Sequence, residues 1–495
     1  MYILTQNSNI ISSENVITDG KIICKYEEIF KWFKGFDNFF LKQGIKIEES
    51  LVLECENSTP TALSLLYLLS KGYSFLLLPK EAKTSEQKAS QQAIPNFCRY
   101  RLVAESLTED GEVVDLARPD RFLHFTENEQ WNGKSEESDR AGQKLYLRTS
   151  GSTGTPKIAV HSHTKLIQNA LNCVQRLELQ SEDRVAIPVP IYHMYGLGAG
   201  FLPSVLAGAS IDLQKGANLL RYLQRENEFN PNVAFMTPIF CETLVKGRKS
   251  PRQYRFTVAA GDRIREQTFA KYDAQFGCLV KLYGSTEMGA IAAASPNDDR
   301  EVRASSVGLP MSGVQIRLQK NQAESTDEIK DEGELWCHHE YGFDGYVDTD
   351  GKPINQSEND DNWFYTKDFG RISSDGRVEV LGRCDHSINR DGLLVFFSDV
   401  EKAIETISGI DSVVVISQGE SQRGKGLVAY CVLTKGTNIS ETDIRAACFE
   451  MLPKRAIPDR LWLVNSLPLL PNGKVDRQKL VGMADSAEET NLVRR

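Results

Sequence analysis

From Thr59 to Ala259 the sequence alternates between helix-like and strand-like patterns, and this alternation limits the possible folds more than any other feature. Thr59–Ser70 reads as a helix, and Ala62–Leu69 (ALSLLYLL) within it is apolar on every side, which predicts a buried helix. Tyr73–Leu78 follows as a buried strand. Further strands are expected at Lys144–Leu147, Ile158–His161, Val185–Val189, Ser210–Leu213, Val233–Met236 and Phe256–Ala259. After Thr164, apolar residues recur at helical spacing: Leu166, Ile167, Ala170, Leu171, Val174 and Leu177. Strands separated by helices call for layered, mostly parallel sheets, and so for a large α/β N-terminal domain.

The pattern changes near residue 330. Glu334–Cys337, Arg371–Ile372, Val378–Leu381 and Leu393–Phe396 are short, closely spaced and punctuated by Gly and Asp, which predicts a β-rich subdomain. After Arg383 the expected order is strand, helix (Ser398–Ile407), strand (Ser412–Ser417), strand (Gly426–Leu433), helix (Glu441–Leu452) and strand (Arg460–Leu463). That is a small α+β module of ordinary domain size. The expected division is a large domain over 1–384, a small mobile domain over 385–482 and a flexible polar tail over 483–495.

A net charge of −9 argues against a general nucleic-acid surface. The ten cysteines contain no CxxC pair, which fits reduced thiols in a cytoplasmic protein better than a disulfide framework. The first residues lack a basic segment followed by an apolar one, and no apolar run reaches membrane-spanning length. A cytoplasmic protein without a membrane span is therefore expected; its oligomeric state stays open.

One loop invites a chemical reading. Arg148–Lys157 reads RTSGSTGTPK. Gly151 and Gly154 allow backbone N–H groups to turn towards an anion. Thr149, Ser150, Ser152 and Thr153 add hydroxyl donors, and Lys157 adds a point charge. The spacing fails the GxxxxGK[ST] pattern, and a strand rather than a helix comes next, so a Walker-type NTPase is disfavoured. The residues alone leave two readings: a phosphate cradle or a surface turn.

Other motifs accompany this loop in order: PVPIYHMYGLG (188–198), YGSTEMG (283–289), GELW with Gly345-Tyr346, YTKDFGR (365–371), LGR (381–383) and PLLPNGKVDRQKL (468–480). Together they resemble the adenylate-forming superfamily of acyl-CoA synthetases, aryl-CoA ligases, peptide-synthetase adenylation domains and luciferases, from about Thr59 to Leu480. The resemblance implies a two-step reaction. A carboxylate attacks the α-phosphate of ATP to give an acyl-adenylate and pyrophosphate, and a thiol then takes the acyl group. It implies catalytic roles for Lys474, Thr286, Glu287 and His193. The loop Thr149, Ser150, Gly151, Ser152, Thr153, Gly154 and Lys157 would hold the β- and γ-phosphates. Tyr283, with Gly284 beside it, would cover the adenine, and Thr286 would donate to the α-phosphate. Glu287 would bind Mg2+, a hard cation suited to carboxylate and phosphate oxygens. Asp368 and Arg383 would meet the ribose. Lys474 would bridge the substrate carboxylate and the α-phosphate, which requires the small domain to close. Asp385 takes the hinge position, and Gly392 would leave room for a pantetheine arm.

The sequence departs from the family pattern at Lys367 (usually Gly), His386 (usually Asp), Asn389 (commonly Lys) and Phe397 (usually Pro). These departures fall outside the adenylation set and bear on the hinge and the thiol acceptor. The acid pocket is expected at His193, Tyr195, Thr237, Ala260 and Gly261. Amino-acid-activating relatives carry an Asp in the pocket segment to pair with the α-ammonium. Ile191–Gly196 has no acid, and a buried unpaired ammonium is costly, so a substrate without an α-amine is expected. AAGDRI (259–264), followed by FGCLVKLYGSTEM, resembles benzoate- and coumarate-type CoA ligases, which implies an aryl or short unsaturated or fatty acid. The acceptor is expected to be CoA. The alternatives are a carrier-protein phosphopantetheine acting in trans, or a non-catalytic nucleotide- or acyl-binding homologue. Cys337-His338-His339-Glu340 looks like a metal motif, but adjacent side chains on a strand point to opposite faces, so a structural role is expected.

Overall fold

The computed structural model describes residues 14–80, 94–108, 111–131, 133, 143–149, 157–216, 218–319, 331–354, 362–390, 393–421, 424–470 and 474–483. The chain divides into two compact units, 1–315 with 337–364 and 316–336 with 365–495.

The first unit is built on two large sheets. One has nine strands, and six consecutive strands at its centre run parallel: Gly277–Ser285, Tyr254–Ala259, Val233–Met236, Arg184–Ile187, Ser210–Leu213 and Val16–Thr18. The other has eight strands, with parallel pairing through Lys144–Arg148, Phe75–Pro79, Ser50–Cys55 and Cys98–Ala104, and antiparallel strands outside them. Both faces of this second sheet are buried. Leu51, Leu53, Phe75 and Leu77 join the main core, while Val52, Leu76, Leu78 and Tyr146 form a second cluster on the opposite face. Their continuous apolar runs have this cause, as in other sheets covered on both sides.

The expected buried helix spans Thr59–Lys71, and every residue from Thr59 to Leu69 is buried. Ser58 caps it by accepting from the Thr61 N–H, and the left-handed Gly72 ends it. The amphipathic helix after the loop spans His163–Leu177. The sequence reading missed the helix Ile29–Gln43. Its Phe33, Phe36 and Phe40 pack around Tyr67, with ring centroids 4.8–5.4 Å apart.

The second unit holds most of a four-stranded sheet, in the order Val314–Gln319, Glu332–His339, Phe364–Ile372 and Val378–Arg383. It also holds a five-stranded sheet. There Ser387–Arg390 and Leu393–Phe396 form a hairpin beside Gly424–Leu433, which is flanked by Ile410–Ser421 and Arg460–Val464. Helices Phe397–Glu405 and Glu441–Met451 contribute Val400, Ile404, Ile444 and Cys448 to its core. The expected tail falls on 484–495, outside the described residues; Met483 instead ends a helical turn over 477–483.

Candidate active site

The loop of the sequence reading connects two antiparallel strands, Lys144–Arg148 and Ile158–Ser162. Thr149 closes its base: its N–H and its hydroxyl both donate to the Lys157 carbonyl, at 3.0 and 3.2 Å. Ser150, Gly151, Ser152, Thr153 and Gly154 lie outside the described residues. Lys157 is exposed, and its ammonium lies 5.4 Å from the centroid of the Tyr346 ring.

The segment Tyr283–Gly289 is a strand end and a tight turn, joining Gly277–Ser285 to its antiparallel neighbour Gly289–Ala293. A side chain at Gly284 would come within 2.2 Å of the Gly289 carbonyl, so only glycine fits this close approach. Thr286, Glu287 and Met288 fill the turn, and each of their carbonyls is held by a different element. His161 Nε2 lies 2.9 Å from the Thr286 oxygen, the Phe343 N–H donates to the Glu287 oxygen at 2.8 Å, and the Asn169 amide donates to the Met288 oxygen at 2.9 Å. Asn169 also accepts from the Ala290 N–H at 3.1 Å. The His161 contact requires the proton on Nε2. Burial pushes this imidazole down to about 4, opposed by the hydrogen bond to Thr286, so the ring is neutral near pH 7.

The half-buried Glu287 carboxylate accepts at Oε1 from the Tyr346 hydroxyl, at 2.6 Å. Among the described residues no group of three His, Cys, Asp or Glu could hold a metal ion. A Mg2+ here would therefore draw on Glu287 together with phosphate oxygens and water, and one carboxylate fits that cation's usual demand on a protein.

His338 and His339 point apart. His339 Nδ1 accepts from the Tyr341 N–H at 3.0 Å and its Nε2 lies 3.2 Å from the Ala290 oxygen, whereas His338 faces the Trp363 ring. His339 is thus part of the packing under the turn.

Four of the five expected pocket residues, Tyr195, Thr237, Ala260 and Gly261, lie at the carboxyl ends of two neighbouring parallel strands. The Tyr195 hydroxyl donates towards the carbonyls of Met236 and Val258, at 3.0 and 2.8 Å. Thr237 follows Met236 and caps the helix Pro238–Gly247, while Ala260 and Gly261 follow the strand Tyr254–Ala259. Tyr195 begins a π-helix, Tyr195–Phe201, a geometry often found at functional sites. His193 is half-buried against Tyr192, 4.5 Å between ring centroids.

Sequence reasoning missed Asn57. Its amide donates to the carbonyls of Ile187 and Val189, at 3.0 and 2.9 Å, and accepts from the Ile191 N–H at 3.0 Å, so it pins the start of the pocket segment. It also missed a cavity of about 610 Å³ lined in part by Asn57, Lys80, Glu105, His124 and Lys215. The cavity opens beyond the ends of Ser50–Cys55, Phe75–Pro79 and Cys98–Ala104. The winding of the second sheet reverses there, the usual place for a crevice in an open α/β sheet. Both sets of contacts join residues more than a hundred positions apart or depend on strand order, so no local motif announces them.

The second unit contains Asp368, Arg383, Asp385 and Lys474. Asp368 and Arg383 face each other across the pair Phe364–Ile372 and Val378–Arg383. Asp368 is buried, with Arg383 Nη1 3.4 Å from its Oδ1. The same guanidinium donates through Nε and Nη2 to both oxygens of Asp385, at 2.8 and 2.9 Å. Burial works to raise the Asp385 pKa, but Arg383, with His386 and Lys367 nearby, holds it below the usual carboxylate range. Lys367 adopts φ +64°, a left-handed conformation that a side chain disfavours, which accounts for the usual glycine at this place.

Phe397 is the first residue of its helix, the position proline favours, and its ring lies parallel to His386 with centroids 6.3 Å apart. Two departures from the family pattern therefore pack on each other. Gly392 lies outside the described residues. The strand Ser387–Arg390 before it is anchored by the fully buried Arg390, which donates to Asp459 Oδ1 at 2.8 Å and to the Ile457 oxygen at 3.2 Å. Lys474 is exposed, next to an isolated bridge between Leu469 and Val475.

Comparison with known proteins agrees with this architecture. A CoA ligase from Rhodococcus jostii is 25% identical over 338 residues, which cover 67% of this chain and 63% of the ligase. The mitochondrial medium-chain acyl-CoA ligase ACSF2 of Macaca fascicularis is 25% identical over 496 residues, covering 92% of this chain and 78% of that protein. The fold matches that of ATP-bound MatB from Rhodopseudomonas palustris with a TM-score of 0.78 at 20% identity, over 97% of both chains. No described helix is long and apolar enough to cross a membrane. The AMP-binding enzyme C-terminal domain matches residues 399–474, and the AMP-binding enzyme family matches residues 65–347, more than half of the sequence. This chain belongs to the AMP-binding enzyme family.

Proposed function

We propose that this protein activates a carboxylic acid with ATP and transfers the acyl group to the thiol of CoA. The observation that carries the reading is the Thr286–Glu287 turn, fixed at three successive carbonyls and approached by Lys157 through Tyr346. Such rigidity suits groups that must meet developing charge without rearranging. The CoA ligases among its relatives support the same reading.

In the first step an oxygen of the substrate carboxylate attacks the α-phosphorus of ATP. The bond to the β-phosphate oxygen breaks, and pyrophosphate leaves. Both reactants are anions, so cations and donors must offset their repulsion. Lys157 and the loop it closes serve the β- and γ-phosphates, Thr286 the α-phosphate, and Tyr283 the adenine. Glu287 would hold Mg2+, which supplies neutralising charge to the phosphates when bound. Asp368 and Arg383 serve the ribose hydroxyls, and Lys474 serves the carboxylate under activation. In the second step the thiol sulfur attacks the acyl carbon, loses its proton, and AMP leaves. Asp385 is the hinge between the two steps, at the start of the small domain over 385–482.

The acid we favour is aryl or short and unsaturated or fatty, without an α-amine. Tyr195 and Thr237 spend their hydroxyls on backbone partners, Ala260 is small, and no carboxylate lies in Ile191–Gly196 to meet an ammonium. The test is ATP–pyrophosphate exchange with a panel of aryl, short, medium-chain and amino acids, followed by thioester formation with CoA and with a holo-carrier protein. Exchange with one non-amino acid and transfer to CoA are expected. No exchange with any acid would sink the reading.

A further inference from the structure

Lys157 and Glu287 are a cation and a carboxylate with one ring between them. The Lys157 ammonium lies 5.4 Å from the Tyr346 ring centroid, and the hydroxyl of the same ring donates to Glu287 Oε1 at 2.6 Å. Among the described residues neither Lys157 nor Glu287 forms an ion pair. Opposite charges that flank one ring could close into a salt bridge if nothing stood between them, and even a weak pair would occupy both groups before a ligand arrived. Tyr346 prevents this in two ways: the ring face takes the ammonium, and the phenolic hydrogen takes one carboxylate oxygen. Tyr346 is itself fixed. It lies in the strand Gly345–Val347, which pairs with Ile158–Ser162 at Tyr346↔Ala159, and the Phe343 ring packs edge-on against it at 4.9 Å. The preceding Phe343 N–H holds the Glu287 carbonyl, so one short segment fixes both the backbone and the side chain of Glu287.

We infer that Tyr346 is a positioning residue that keeps Lys157 and Glu287 apart and aims the second carboxylate oxygen of Glu287 at a divalent cation. This rests on the proposed ATP-dependent activation, with Glu287 as metal ligand and Lys157 as phosphate ligand. Two functions of one ring predict two separable losses. Removing the hydroxyl frees the carboxylate and weakens the metal site alone. Removing the ring as well lets Lys157 pair with Glu287 and weakens phosphate binding too.

The experiment uses the full chain. Mn2+ binding to the protein with ATP, without any acid, is followed by electron paramagnetic resonance. Binding of a fluorescent ATP analogue is measured in EDTA. Tyr346→Phe is expected to raise the Mn2+ dissociation constant about tenfold, the loss of one charge-assisted hydrogen bond, and to leave metal-free nucleotide binding unchanged. Tyr346→Leu is expected to raise both constants. In a Glu287→Gln background, adding Tyr346→Phe is expected to change Mn2+ binding no further. Identical Mn2+ curves for wild type and Tyr346→Phe, or additive effects in the double variant, would overturn the positioning role. Unchanged metal-free binding in Tyr346→Leu would overturn the spacer role. If wild type binds no Mn2+ with ATP, the proposed function itself has failed, a result distinct from those of the variants.

Discussion

Three buried histidines share a property that shows itself in acid. Burial pushes His161, His163 and His339 down to about 4, from an ordinary value of 6.5. The unfolded chain takes up protons on these rings as the pH falls through 6.5, while the folded chain does so only near 4. Their contribution to stability is therefore complete above pH 6.5 and is lost between 6.5 and 4. Each ring contributes a slope of about 1.4 kcal/mol per pH unit in that window. Chemical denaturation at a series of pH values should show this fall. His161→Gln, which keeps a donor for the Thr286 carbonyl, should make it shallower; an unchanged slope would mean that His161 titrates normally in the fold.

The turn between Gly277–Ser285 and Gly289–Ala293 depends on its element as a whole. Gly289 has φ +64°, and a methyl group there would come within 2.4 Å of the Asn169 amide. Gly289→Ala should therefore displace Asn169 from Met288 and Ala290, cost about 1–3 kcal/mol, and lower pyrophosphate exchange at saturating ATP. Wild-type exchange in a stable Gly289→Ala protein would show that the turn tolerates movement. The elements themselves were largely legible. Strands at Val233–Met236 and Ser210–Leu213 and the buried helix after Ser58 follow from the pattern of apolar residues. The helix Ile29–Gln43 escaped because its phenylalanines read as scattered aromatics until Tyr67, distant in sequence, draws them into one cluster. The YGSTEMG motif marked the segment, but neither its turn nor its supports. His161, Asn169, Phe343 and Tyr346 come from three separate segments, and only strand order and helix packing bring them under Glu287.

At the scale of the whole molecule, the groups proposed for the nucleotide come from both compact units. Lys157, Tyr283 and Glu287 belong to the first; Asp368, Arg383 and Lys474 belong to the second. The order of these groups was legible in the motifs. They were silent on the double engagement of Arg383 with Asp368 and Asp385, because that depends on the register of one antiparallel pair. None of the ten cysteines forms a disulfide; eight are buried, and Cys278 and Cys384 are half-buried. Burial also raises the Cys384 thiol to about 11, despite an opposing hydrogen bond from Tyr365, and a protonated thiol reacts slowly. Titration of the native protein with a chromogenic disulfide should release at most two equivalents promptly, and ten after denaturation. More than two would mean that a buried strand or helix opens readily. A native surface as quiet towards thiol reagents as this titration is expected to show would give the experimenter a nearly blank background. A cysteine introduced at an exposed position could carry a fluorophore without first stripping out the natural ones, and the rearrangement proposed to separate the two chemical steps could be timed as light.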